Sequence, residues 1–184
     1  MQPRQVAPAW IVALFAAMST AAPTAAITQT SYNASFSQEM TVQRGDCPAG
    51  TPPPPSSFCF TGSDHSHTGT STPPVPTDQQ AIEDFEGFVD FTHTRVCPDG
   101  TTGFPDHNTV TIGTYAGQLF LTTDGLDCPS TGTDDGVWNA QGGTGIFNGA
   151  SGRGTVHSQA TGGTGTRTDP IRSFSTYNGS LTLR

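Results

Sequence analysis

Apolar and polar residues alternate with period two in short runs along this chain, and no stretch carries a helical period. Tyr32, Ala34, Phe36, Met40 and Val42 alternate with Asn33, Ser35, Ser37, Glu39 and Thr41, which predicts a half-buried strand. A second strand is expected at Phe58–His67. A third carries Phe85, Val89 and Phe91 on one face, with Gly87 between them. Thr109–Thr114 and Gln118–Thr123 flank a Tyr-Ala-Gly turn and predict a hairpin. Val137–Gln141, Gly154–Thr161 and Ser173–Leu183 bring the count to eight. Eight antiparallel strands can close into a barrel and so leave no exposed edge. The expected fold class is therefore all-β, an eight-stranded antiparallel barrel.

An up-and-down order sorts the connections between two rims. Those near 43–57, 94–108, 124–136 and 162–172 share one rim, which would be long-looped and rich in Asp. Asp46, Asp99, Asp106, Asp124, Asp127, Asp134, Asp135 and Asp169 all fall there, read as turn residues. The other rim would hold the short turn at Tyr115 and a Gly-rich connection. Thr51–Pro55 reads as a stiff extended loop and Thr68–Thr77 as a low-complexity one.

Composition narrows the setting. One positive residue, Arg4, precedes the apolar run Ala9–Ala17, and small residues follow to Ala26. That is the pattern of a secretory signal peptide over 1–26, cleaved after Ala21 or Ala26, and is too short to span a bilayer. The remainder, 27–184, is the size of a single domain. Net charge is −8, with seven Arg and no Lys, so nucleic-acid binding is excluded for want of a basic footprint.

Cys47, Cys59, Cys97 and Cys128 are an even set without metal-binding spacing. In an exported chain they predict two disulfides. Four cysteines allow three pairings. The expected pairs are Cys47–Cys59, closing the loop between the first two strands, and Cys97–Cys128, tying loops at the ends of the third and fifth. The expected localisation is extracellular, with no membrane attachment after cleavage.

Gly142-Gly143-Thr144-Gly145-Ile146-Phe147-Asn148-Gly149-Ala150-Ser151-Gly152 is the most distinctive run. No helix pattern follows it, which excludes a phosphate-binding loop. It resembles the GGTGxFxGAxG signature of allene oxide cyclases and dirigent proteins, and the resemblance extends through the C-terminal strands. It implies a disulfide-stapled barrel of the allene oxide cyclase/dirigent type that associates as a homo-oligomer, expected here to be a trimer. Apolar residues in the first strand (Phe36, Met40) and the last (Phe174, Leu181, Leu183) exceed what one barrel face can take.

Candidate chemistry is sparse. The cyclases carry a Glu-x-Asn on the first strand. Glu39-Met40-Thr41 keeps only the Glu, and alternation turns Glu39 towards solvent. Phe85, Phe91, Phe120 and Phe174 are candidates to line a ligand cavity. Asp124, Asp127, Asp134 and Asp135 could offer oxygen ligands to Ca²⁺, but not at EF-hand spacing. His65 and His67 could share a metal, yet no third ligand is evident. No cofactor is implied. The expected function is a stable exported protein, or one that binds a small apolar ligand. The alternatives are a cyclase or isomerase acting in the barrel, and a calcium-dependent adhesion module.

Overall fold

A computed structural model of the chain describes residues 28–43, 47–72 and 81–184, with the side chains of Gln43 and of residues 64–72 left out. The expected signal peptide, Asp46, and the side chains of His65 and His67 lie outside what is described.

The described residues form nine strands: β1 (Thr28–Gln43), β2 (Ser57–Thr72), β3 (Ala81–Asp90), β4 (Arg95–Val96), β5 (Thr102–Thr114), β6 (Gly117–Cys128), β7 (Thr133–Gly143), β8 (Ser151–Gly162) and β9 (Ile171–Leu183). They pair in the order β3-β2-β1-β9-β8-β7-β6-β5-β4, and β3 also pairs with β5. Eight strands therefore close an antiparallel ring, and the two-residue β4 caps the exposed start of β5. Every contact between successive long strands is a local meander pairing. The ring is closed by the long-range register of Thr28–Met40 with Ile171–Leu183.

The strands reach further than the sequence pattern suggested. β5 begins seven residues before Thr109, and β6 and β7 run to a turn confined to 129–132. Asp106, Asp124, Asp127, Asp134 and Asp135 therefore sit in paired strands, not in loops. Pro105 stands where β5 exchanges β4 for β3 as its neighbour.

Alternation then sends every second residue inward. Far from the stapled rim, Tyr32, Phe36, Ile112, Leu119, Leu121, Trp138, Phe147 and Leu181 are fully buried and fill the ring. Each such aliphatic side chain contributes roughly 1.5–3 kcal/mol of burial. Trp138 fits because inward Gly154 and Gly179 leave room. A methyl on either would meet its indole at 2.5 and 2.7 Å. The Trp138 ring meets Tyr32 edge-on at 5.6 Å. The apolar surplus expected outside reduces to Phe174. Phe36 and Leu181 are fully buried, and Met40 and Leu183 share their inward parity.

The Gly-rich run closes this end. Gly145–Phe147 makes one 3-10 turn that places Phe147 under the ring. Thr144 N–H donates to the Gln118 carbonyl at 2.8 Å, and Ile146 N–H to that of Ala116 at 3.2 Å, docking the turn on the β5–β6 hairpin. Gly145 has φ +59°, and a Cβ there would meet the Ala116 oxygen at 2.0 Å. Only Gly satisfies both demands.

At the opposite rim stand the two disulfides, Cys47–Cys59 and Cys97–Cys128, with Cα separations of 5.5 and 6.0 Å. Both pairings match the sequence expectation. They fit an oxidising, extracellular compartment. Among the described residues no helix is long and apolar enough to cross a membrane.

Candidate functional site

Between the apolar plug and the stapled rim the ring holds a cavity of about 180 Å³. Its apolar lining includes Met40, Phe58, Phe60, Phe85, Val89 and Ile171. Polar side chains also line it, and two networks meet there.

The first network is saturated. Glu83 is fully buried. Gln38 Nε2 donates to its Oε2 at 2.6 Å, and the Tyr177 hydroxyl donates to its Oε1 at 2.6 Å. Ser173 donates to Gln38 Oε1 at 3.1 Å, and Ser175 donates to the same oxygen. Burial, and then the neighbouring Glu83 charge, push the Tyr177 phenol well above its ordinary pKa, so it stays a donor.

The second network is not saturated. Asp106, Asn108, Thr123 and Gly125 on β5 and β6 meet Asp134 on β7. Asn108 Nδ2 donates to Asp106 Oδ2 at 2.7 Å and to Thr123 Oγ1 at 2.9 Å. Both amide hydrogens are thereby used. Inward Gly125 leaves space into which the two carboxyls lean. A methyl at Gly125 would meet Asp134 Oδ1 at 2.2 Å and Asp106 Oδ1 at 2.3 Å. Those two oxygens and Asn108 Oδ1 are shut off from solvent without a hydrogen-bond partner when both acids are ionised.

A single proton between the acids turns their contact into a hydrogen bond. Burial pushes Asp106 up to about 6, against hydrogen bonds from Asn108 and Asp134 that lower it; the Asp127 charge adds to the rise. Burial, then the Asp106 and Asp127 charges, raise Asp134 further. Burial also raises Asp127, which pairs opposite Asp134. Two like charges cannot both ionise cheaply in such a place.

The sequence candidates distribute as parity dictates. Asp127 and Asp134 line the cavity. Asp124 and Asp135 point outward and bond to His107 and His157, each at 2.7 Å. The four carboxylates considered for Ca²⁺ thus lie on two faces of the sheet and do not converge. Among the described residues no group of three His, Cys, Asp or Glu is arranged to hold a metal.

Glu39 is exposed, as alternation foretold, and its neighbour Gln38 is the residue that enters the ring. Phe85 lines the cavity. Phe91 lies just past β3, 37% exposed, against Phe58 and Phe104. Phe120 and Phe174 occupy outward positions, between inward Leu119 and Leu121 and between Ser173 and Ser175. Within the Gly-rich run, Phe147 is in the core, and Gly142, Gly145 and Gly149 have φ of +100°, +59° and +69°. Gly143 and Gly152 back directly onto the backbone oxygens of Gln118 and Ser180.

Asp106, Asn108, Glu83 and Tyr177 escaped the sequence reading. The signal existed: continuing the alternation of Val110 and Ile112 backwards puts Asn108 and Asp106 on the inward face.

The chain matches no model of a known protein family, and no curated protein sequence matches it.

Proposed function

We propose that this chain is an exported β-barrel of the allene oxide cyclase/dirigent type that holds a small ligand with an apolar body inside the ring. The cavity carries this reading. At about 180 Å³ it is comparable with the engineered apolar cavity of roughly 150 Å³ that takes benzene, so one aromatic ring or a short alkyl chain fits. Aromatic walls with a few convergent polar groups are the usual composition of a ligand site. The resemblance of the Gly-rich run supports the barrel type, and the disulfides support export. A homo-oligomer, expected to be a trimer, rests on the resemblance and on outward Phe174 and Val137, 44% and 49% exposed; sedimentation velocity tests it.

A second reading, a cyclase or isomerase, is favoured by one observation. Two carboxyls sharing a proton beside an apolar pocket are equipped for general acid and base work. Asp106 and Asp134 would then act, and not Glu39, which lies outside the ring.

The test is titration of purified protein with toluene and indole, followed by calorimetry and thermal shift. Both should bind, and Val89→Phe, which fills part of the cavity, should abolish binding with an unchanged far-UV circular dichroism spectrum. If no one-ring probe binds at millimolar concentration, the ligand reading fails.

A further inference from the structure

The open polar atoms of the cavity specify a ligand chemistry. Asp106 Oδ1, Asp134 Oδ1 and Asn108 Oδ1 are all acceptors, all shut off from solvent and all without a partner. The donors around them are committed: Asn108 Nδ2 to Asp106 and Thr123, the Tyr177 hydroxyl to Glu83, the Ser173 hydroxyl to Gln38. Beyond these, the Thr123 hydroxyl keeps its own hydrogen and the Gly125 N–H faces Asp106, so acceptors outnumber free donors. Among the described residues no cation answers them. The sequence contains no Lys, and every described Arg is exposed. His107 and His157 are held on the outer face by Asp124 and Asp135.

We infer that the cavity binds a small organic ammonium: a primary amine on a one-ring or short alkyl body. This rests on the ligand-binding reading and names its ligand class. An ammonium offers three donors and no acceptor, the complement of the two carboxyl oxygens that meet over Gly125; Asn108 Oδ1 lies apart from them, against Gly87. A carboxylate pair facing it makes charge-assisted hydrogen bonds, shorter and about twice as strong as neutral ones. The ammonium takes the place of the proton that otherwise lies between Asp106 and Asp134, so binding releases that proton. Phe58, Phe60 and Phe85 line the same cavity, and aromatic faces attract cations. Gly125 is the positioning element, because any side chain there would separate the two carboxyls. A neutral or anionic ligand of equal size leaves the acceptors open or adds a like charge, and is penalised.

Benzylamine, benzyl alcohol, toluene and benzoate distinguish the cases by calorimetric titration at pH 7. Benzylamine should bind at least tenfold more tightly than benzyl alcohol, and benzoate should not bind. Repeating the titration in buffers of different ionisation heat should show close to one proton released. Asp106→Asn and Asp134→Asn should each lower benzylamine affinity at least tenfold and leave that of toluene within about twofold, which also reports that the ring is intact. Equal binding of amine, alcohol and toluene would overturn the ammonium inference and leave the apolar-ligand reading standing. Binding by none of them would remove both. Saturable heat with calcium chloride, lost in Asp134→Asn, with none from benzylamine, would reassign the carboxyls to a metal and overturn the inference.

Discussion

Replacing Asp134 with Asn should make this protein more stable at neutral pH, against the usual cost of altering a buried polar residue. The folded-state pKa of Asp106 is raised from 3.8 to about 6. Between those values the native state binds more protons than the unfolded state, so stability falls as pH rises. Its contribution is fully present below about pH 4 and is lost as pH passes through 6. Two pKa units correspond to about 3 kcal/mol. Asp134 is raised in the same direction and extends the loss above pH 6. Asp90 and the exposed Asp99 are lowered by hydrogen bonds from Thr92 and His93 and from Thr101 and Ser130, so their contribution persists on acidification until pH falls well below 4. The window from pH 4 to 7 therefore reports the buried acids. With Asn at 134, one like charge is gone and its amide can donate to the open Asp106 oxygen. At pH 7 the variant should gain on the order of 1–3 kcal/mol, and at pH 4 the two proteins should be nearly equal. Urea unfolding followed by the fluorescence of buried Trp138 measures this at pH 4, 5, 6 and 7. Wild-type stability that is flat or rises across this window would refute the reasoning, as would an Asn variant weaker at pH 7.

Three further outcomes are expected. Gly125→Ala should destabilise by about 1–3 kcal/mol through overpacking and flatten the same pH dependence, since its methyl would collide with both carboxyl oxygens; the same urea series reads both effects. Gly149→Ala should cost about 1 kcal/mol for its φ of +69° alone, while Gly145→Ala should cost at least twice that, because its Cβ also meets the Ala116 oxygen; chemical denaturation of the two variants ranks them. Replacing Cys97 and Cys128 together with Ser, which opens a link of sequence separation 31, should lower stability by about 3–4 kcal/mol, measured against wild type under non-reducing conditions.

Much of the scaffold was written locally. Alternation in Tyr32–Val42, the hairpin around Tyr115 and the meander order follow from period-two patterning and from turn residues, which act over a few neighbours. Strand order put all four cysteines at one rim and left three pairings open; the structure has the expected one. The glycines of the 142–152 run announced a tight connection, since positive φ is a property of the residue itself. The site was not local in this sense. Asp106, Asn108, Asp127 and Asp134 look like loop residues in isolation, and Gly125 and Gly136 look like breaks between strands. Pairing Gly125 opposite both Asp106 and Gly136 makes them strand residues, because ladder hydrogen bonds override weak local preferences. Once in the ladder, parity decides the rest: Asp134 enters the ring and Asp135 leaves it, and Gln38 enters where Glu39 does not. Only closure of the ring, β1 on β9 and β3 on β5, brings acids from β5 and β7 over one glycine of β6 and withdraws them from water. Sequence determined which residues could form a sheet. The tertiary structure decided which of them share a proton, because that depends on distance and burial across strands.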